Sequence, residues 1–207
     1  MGFKLCGTQY GGWMIDLDMI PEGSQVISAG VGEDISFDLR LIEERKCEVI
    51  GIDPTPKSHT FIENQKKLDN FELVKMALHA TDGEIVSMYK NKRPDHVSES
   101  VLPDHHSVND FDSYFAETIS LPSLFIKYDN ISLVKMDIEG SEYDVLHSLD
   151  SIPSTVKQFC VECHHFCSSK TIQDTHEIIK KMTTLGFDKF LEKPGSKKLA
   201  EITFWRE

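Results

Sequence analysis

Three groups of residues in this sequence have the types and spacing to do chemistry. The first is Gly30-Val31-Gly32-Glu33-Asp34, which follows the apolar run Val26-Ile27-Ser28-Ala29. Two glycines one residue apart let the backbone approach a ligand closely, and they expose amide N–H groups where a helix begins. Asp53 follows 21 residues after Gly32, at the end of the next apolar run. A carboxylate in that position can accept two hydrogen bonds from a ribose diol. A dinucleotide fits poorly, because its third glycine falls on Ile35. Glu33 and Asp34 would also set negative charge where a pyrophosphate lies. An adenosine ligand without phosphates fits better, and S-adenosylmethionine is one: a sulfonium, an ammonium and a ribose diol, each suited to carboxylates. The plainer alternative is a tight turn with a surface carboxylate.

The second group is Val134-Lys135-Met136-Asp137-Ile138-Glu139-Gly140-Ser141-Glu142. Asp137 and Glu139 fall at a strand end, where a carboxylate can bind an ammonium, orient a hydroxyl or act as a base. A helix cap with dipole-favoured acids suits Glu142 well and suits Asp137 poorly, since Asp137 precedes the helix by several residues. The third group is Phe159-Cys160-Val161-Glu162-Cys163-His164-His165-Phe166-Cys167. Cys160-x-x-Cys163-His164 has the letters of a haem attachment motif, but it falls in an expected buried strand with no second axial ligand nearby. Zinc meets a different obstacle: on a strand Cys160 and Cys163 point to opposite faces. No metal is therefore assigned. Cys160 is expected in the core, with Glu162 and His164 emerging at the cleft. A buried, hydrogen-bonded histidine pair is the plainer reading of His164 and His165.

These groups need elements to position them, and strand and helix signals alternate along the chain. Strands are expected at 26–29, 48–52, 71–76, 85–89, 131–136, 158–161, 187–191 and 199–205. Helices are expected after Asp34 as cap, then at 57–68, 121–128, 141–149 and 171–185. Asp82-Gly83 is expected as a hairpin turn, and Pro194-Gly195 as the turn between the last two strands. Alternation of this kind implies a parallel sheet covered on both faces, with an antiparallel edge where the last two strands pair. Ligands bind such sheets outside the carboxyl ends of the strands, which is where all three groups fall. Residues 90–113 break the pattern with Pro94, Pro103, His96, His105, His106 and many small polar residues. A stretch of that length reads as a substrate-side loop or lid.

Composition narrows the partners. The 207 residues fit one domain, 1–207, with enough chain for a full core. The formal charge of −12 opposes phosphate backbones, so no nucleic acid is expected. No apolar run approaches the ~18 residues of a membrane span, and residues 1–20 lack the pattern of a secretory signal. Cys6, Cys47, Cys160, Cys163 and Cys167 are an odd set, which suggests reduced thiols and a cytoplasmic location.

With these residues in place, the sequence resembles the FkbM family of S-adenosylmethionine-dependent methyltransferases. The matching pieces are Tyr10-Gly11-Gly12-Trp13, Gly30 to Asp38, Asp53-Pro54-Thr55-Pro56 and Lys135 to Glu142, with Val161-Glu162-Cys163-His164 similar to a later strand end. The resemblance implies an α/β class I methyltransferase (Rossmann-like) fold: seven strands, mostly parallel, with helices on both faces. It implies methyl transfer, most often to an oxygen of a sugar or another small hydroxylated metabolite. It also implies roles. Gly30, Val31, Gly32, Glu33 and Asp34 would line the methionine side, Asp53 would hold the ribose, and Pro54 and Ala77 would flank the adenine. Asp137 and Glu139 would face the methyl group, and His164 would orient or deprotonate the acceptor. Ser28-Ala29-Gly30 departs from the acid-containing strand end usual in the family, which leaves Glu33 or Asp137 for the ammonium. Two other functions suit this architecture. A nicotinamide-dependent reductase is disfavoured by Ile35, and a non-catalytic nucleotide-binding module is disfavoured by the intact acids.

Overall fold

The computed structural model describes residues 2–65, 68–193 and 198–207. Short β-branched runs, too short for helices, make its strands. An N-terminal hairpin joins β1 (Lys4–Cys6) to β2 (Trp13–Ile15). Then come β3 (Gln25–Ala29), α1 (Ser36–Arg45), β4 (Glu48–Ile52), α2 (Pro56–Glu63), β5 (Phe71–Val74) and the two-residue β6 (Ala77–Leu78). β7 (Ile85–Asn91) and β8 (Val108–Ile119) are the longest strands, and α3 (Leu121–Lys127) follows them. β9 (Ile131–Met136), α4 (Glu142–His147), β10 (Gln158–Cys163), α5 (Ile172–Thr184), β11 (Lys189–Lys193) and β12 (Ala200–Trp205) complete the chain.

Seven strands form the main sheet in the order β11-β12-β10-β9-β3-β4-β5. β3, β4, β5, β9 and β10 run parallel, and β12 runs antiparallel to both its neighbours. The expected antiparallel edge is present; the Pro194-Gly195 turn lies outside the described residues. β9 is buried at every position, as befits a central parallel strand covered on both faces. Alternate residues serve two cores. Ile27, Ile50, Val134, Phe159 and Val161 pack with Leu146 of α4 and Ile178 of α5. Val26, Val49, Leu133 and Cys160 pack on the other side against Phe37 and Leu41 of α1 and Trp13 and Ile15 of β2. Cys160 and Cys163 fall in different cores, so they face opposite ways and cannot share an ion.

Several local expectations change. The N-terminal hairpin was not foreseen. Asp34 does not cap α1 by the usual geometry; Ile35 is the cap residue, and Asp34 Oδ1 accepts from Ser36 N at 2.9 Å. Asp82-Gly83 turns the chain, but β6 and β7 do not pair, because β8 lies between them. The Asp82 carboxylate instead binds Ser120 N, Ser120 Oγ and Ser123 Oγ at the start of α3. The irregular stretch expected at 90–113 is shorter, since β7 runs through Asn91 and β8 begins at Val108. Among the described residues no helix is long and apolar enough to cross a membrane.

One buried side chain fixes the N-terminal hairpin to the sheet. Gln158 of β10 accepts from Asp16 N at 2.8 Å and donates to Asp16 O at 2.9 Å. Its amide is fully buried, so each bond it makes replaces water completely. Gln158→Ala leaves a buried N–H and a buried C=O unpaired, at roughly 1–3 kcal/mol for each group. Urea unfolding should show a loss of at least about 2 kcal/mol; a loss below 0.5 kcal/mol, by the same yardstick, would mean the bonds matter little.

Candidate active site

The chain leaves β3 toward β4 on one side and returns through β9 on the other, so the topology switches at the carboxyl ends of β3 and β9. Crevices at such points are the usual binding sites of open α/β sheets. Here a cleft of about 760 Å³ opens there. Gly30 N donates to Ile52 O at 2.9 Å and Asp137 N to Ala29 O at 3.1 Å, so the three strand ends are tied together. Gly30 has φ +77°, and a Cβ on it would fall on the carbonyl oxygen of Asp137. Gly32 has φ +59°, and its turn opens into the cleft. Beneath this turn Lys135, 7% exposed, donates to Ala29 O at 3.1 Å and to Gly30 O.

Asp53 lies at the end of β4, in the cleft wall, and is buried. Its carboxylate accepts from Gly32 N (2.9 Å), Thr55 N (2.7 Å), Thr55 Oγ1 (2.6 Å) and Ser58 Oγ (2.9 Å). A carboxylate has about four acceptor positions. Asp53 therefore clamps the glycine turn to the start of α2, and a ribose diol would have to exchange with the Thr55 and Ser58 hydroxyls. Asp34 binds Thr8 Oγ1 at 2.6 Å and so fastens residues 8–11 beside the cleft. Glu33 is exposed at the cleft, and Val31 is buried behind the turn. Pro54, Ala77, Ile52 and Leu78 form an apolar wall on the β4 side.

On the β9–β10 side a ring of acids surrounds His164, which is 4% exposed. Its Nδ1 lies 2.8 Å from Glu142 Oε1. Glu142 also accepts from Ile138 N and Gly140 N at 3.0 and 2.9 Å, so this carboxylate sets both the turn and the imidazole. His164 Nε2 faces Glu162 Oε2 at 3.1 Å, Glu139 Oε2 at 3.5 Å and Asp137 Oδ1 at 3.7 Å. Glu139 reaches inward because its backbone is left-handed, φ +54°, and its carbonyl accepts from Ser100 Oγ at 2.6 Å.

Crowded, buried acids resist ionisation. Burial, reinforced by Asp137, pushes Glu139 up to about 7 even though His164 opposes the shift. Burial and Asp137 push Glu162 up to about 8. Burial alone would lower His164, but Glu142, Glu162 and Glu139 together raise it well above 6.5. His105 goes the other way, down to about 4, through burial and the neighbouring His164 and His106.

The structure thus brings Asp137, Glu139 and His164 together, beside Gly30, Gly32, Glu33, Asp34, Asp53, Pro54 and Ala77 in one cleft. Sequence reasoning missed the parts contributed from elsewhere. Glu142 looked like a helix cap, although its burial inside the Asp137–Glu142 turn is what fixes His164. His105 was one of three histidines in an irregular segment, and nothing in its neighbours marks it as buried. Residues 92–107 wall the cleft with Val97, Ser98, Glu99 and His105, pinned by the Tyr89–Ser100 bridge and by Ser100 on Glu139. Tyr10 lines the rim of the cleft and is exposed.

The sequence profile of the Methyltransferase FkbM domain matches residues 27–189, most of the chain. The chain belongs to the FkbM family of S-adenosylmethionine-dependent methyltransferases. Among solved structures it is similar to the Methanococcus jannaschii fibrillarin pre-rRNA processing protein, with a TM-score of 0.50 and 11% identity over 91% of this chain and 68% of that one. That likeness is one of fold. The precorrin-6y C5,15-methyltransferase of Geobacter metallireducens follows at 0.47 and 9%, covering 92% and 85%. TrmK of M. capricolum, solved with S-adenosylhomocysteine, gives 0.44 and 8%, covering 92% and 65%. No curated protein matches the chain. The cleft of this FkbM methyltransferase has room for a ligand at the glycine turn and an apolar β4 side, and the carboxylates of Glu33, Asp34 and Asp137 lie along its wall.

Two substitutions test this arrangement. Gly30→Ala forces a side chain onto Asp137 and strains a left-handed residue by a further ~1–2 kcal/mol. It should lower the melting temperature and abolish S-adenosylhomocysteine binding in calorimetry; a variant with native melting and affinity would show that the strand ends can spread. Asp53→Ala unpairs the amides of Gly32 and Thr55. It should weaken S-adenosylhomocysteine at least tenfold and also cost about 2 kcal/mol of stability. Unchanged affinity in the folded variant would remove Asp53 from the site.

Proposed function

We propose that this FkbM methyltransferase methylates an oxygen of a small hydroxylated acceptor, with a sugar as the leading candidate. The observation that carries the reading is the convergence of Asp137, Glu139 and Glu162 on one side of His164, next to the glycine turn. A hydroxyl in that corner would meet carboxylate acceptors, which orient it and take up its proton. S-adenosylmethionine, when bound, supplies the methyl group as an activated sulfonium carbon. Glu33 or Asp137 would meet its ammonium with Asp34 on the methionine side, Asp53 would hold the ribose in exchange for the Thr55 and Ser58 hydroxyls, and Pro54 and Ala77 would flank the adenine. His164, fixed by Glu142, keeps the carboxylates at their spacing. Positioning of this kind supplies much of the rate in a transfer that needs an in-line nucleophile.

A small acceptor is favoured by the cleft's walls. Residues 92–107 and Tyr10 cover the acid corner, and we read the segment as the substrate-side cover. The −12 charge of the chain and the acids lining the cleft oppose a polyanionic acceptor. All five cysteines are free, which supports a reducing, cytoplasmic setting.

Binding and turnover separate the roles. Asp137→Asn removes a charge that favours a sulfonium, so it should weaken S-adenosylmethionine several-fold more than neutral-sulfur S-adenosylhomocysteine. Glu139→Gln should leave both affinities within twofold and lower turnover at least tenfold. Turnover is read as S-adenosylhomocysteine formed over a panel of monosaccharides and small polyols. Full turnover by Glu139→Gln on the best acceptor would leave only the cofactor half of the reading.

A further inference from the structure

Four carboxylates, those of Asp137, Glu139, Glu142 and Glu162, face the single imidazole of His164. The buried ammonium of Lys135 is committed to the carbonyls of Ala29 and Gly30. Asp137 Oδ1 is buried and has no hydrogen-bond partner among the described residues. His105 adds a separate sign. It is 2% exposed, its Nδ1 lies 2.8 Å from Ser107 Oγ, and its Nε2 has no hydrogen-bond partner among the described residues although it lies 3.7 Å from Glu139 Oε2. A buried imidazole nitrogen left unpaired and aimed into a ring of carboxylates is costly unless something is bound there.

We propose that Asp137, Glu162 and His164 form a binding site for one divalent cation, with Glu139 and His105 on its border. One oxygen from each acid and one ring nitrogen of His164 lie within 4.8 Å of one another. Neighbouring ligands at ~2.1 Å from an ion sit about 3.0–3.4 Å apart in octahedral or tetrahedral shells. His164 Nε2 lies 3.1 Å from Glu162 Oε2 and 3.7 Å from Asp137 Oδ1, close to that spacing before any adjustment. Glu142 already accepts two backbone N–H groups, so it is an acceptor for His164 Nδ1–H, and Nε2 can bind the ion by giving up its own proton. A carboxylate behind a ligating imidazole is the common support in metal sites. The donors are oxygen and imidazole nitrogen without sulfur, which suits Mn²⁺ or Zn²⁺.

The zinc motif rejected from the sequence used Cys160 and Cys163; this site uses neither, and its ligands come from two strand ends that only the fold unites. The exposed edges of Asp137, Glu139 and Glu162 face the cleft, so an acceptor oxygen could complete the ion's shell. That last step rests on the proposed function, whereas binding of the ion does not.

The test titrates Mn²⁺ into chelator-treated protein and follows the free-ion electron paramagnetic signal together with thermal melting. One Mn²⁺ should bind per chain and raise the melting temperature. Asp137→Asn and Glu162→Gln should each weaken binding at least tenfold, while Asp144→Asn, an acid on the surface of α4, should leave it within twofold. Circular dichroism checks that each variant is folded, and His164→Gln replaces any that is not. Failure of the folded wild type to bind Mn²⁺ or Zn²⁺ at millimolar concentration would overturn the site. So would binding unchanged by both carboxamide variants. S-adenosylhomocysteine affinity, measured with chelator present, reports on the cofactor reading alone, so the two can fail separately.

Discussion

The close approach of two backbones at Gly30 and Asp137 is the constraint from which the site follows. β3 and β9 are neighbouring parallel strands, and their ends must diverge: one into the glycine turn, the other into the acidic turn. Because Gly30 has no Cβ, the carbonyl of Asp137 lies against its Cα, and the two turns leave the sheet side by side. Lys135 then gives the carbonyl of Ala29 a second donor beside Asp137 N, and it binds the carbonyl of Gly30 beneath the cleft. A larger residue at position 30 would separate the half of the cleft that holds a nucleoside from the half that holds the acids.

The two halves manage negative charge in different ways. On the β4 side Asp53 is saturated by two backbone amides and two hydroxyls, so its charge is dispersed within the turn. On the β9–β10 side Glu142 is satisfied likewise, but Asp137, Glu139 and Glu162 share one imidazole and are only partly shielded from water. The first arrangement builds a rigid wall. The second is a standing electrostatic demand, which a proton, a cationic cofactor or a metal ion can meet to different degrees.

The fold was legible where one physical signal dominated. Short, mostly apolar runs such as Ile131 to Met136 read as buried strands, and the helix expected from Thr171 is present, with Thr171 and Asp174 forming a capping box at its start. Motifs local in sequence, Gly30 to Asp34 and Asp137 to Glu139, fell into the cleft because strand ends dictate where it lies. The N-terminal hairpin was illegible because β1 and β2 have three residues each and gain stability from packing on α1 and the sheet. β8 was half hidden: Val108 to Ser113 carries Asn and Asp on its exposed positions and reads as loop until its pairing with β7 is known. His105 and Glu142 escaped notice for a related reason. Burial is a property of tertiary neighbours, and it turns an ordinary loop histidine and an ordinary helix-start acid into site residues.

The link between Gln158 and Asp16 also bears on the order in which the protein can be assembled. Residues 10–13 contribute to the cleft wall, yet the hairpin that presents them is held by a side chain 142 positions later. A chain emerging from the ribosome makes its glycine turn early, and Thr8 can bind Asp34 and Ser36 there, but the buried link from the hairpin to the sheet waits until β10 is inserted beside β9. Such distant pairings are slow to form, because the loop must be closed before the contact stabilises it. The N-terminal side of the cleft, although it precedes β10 in the chain, is therefore fixed to the sheet only when the acids of β10 are in place beside it.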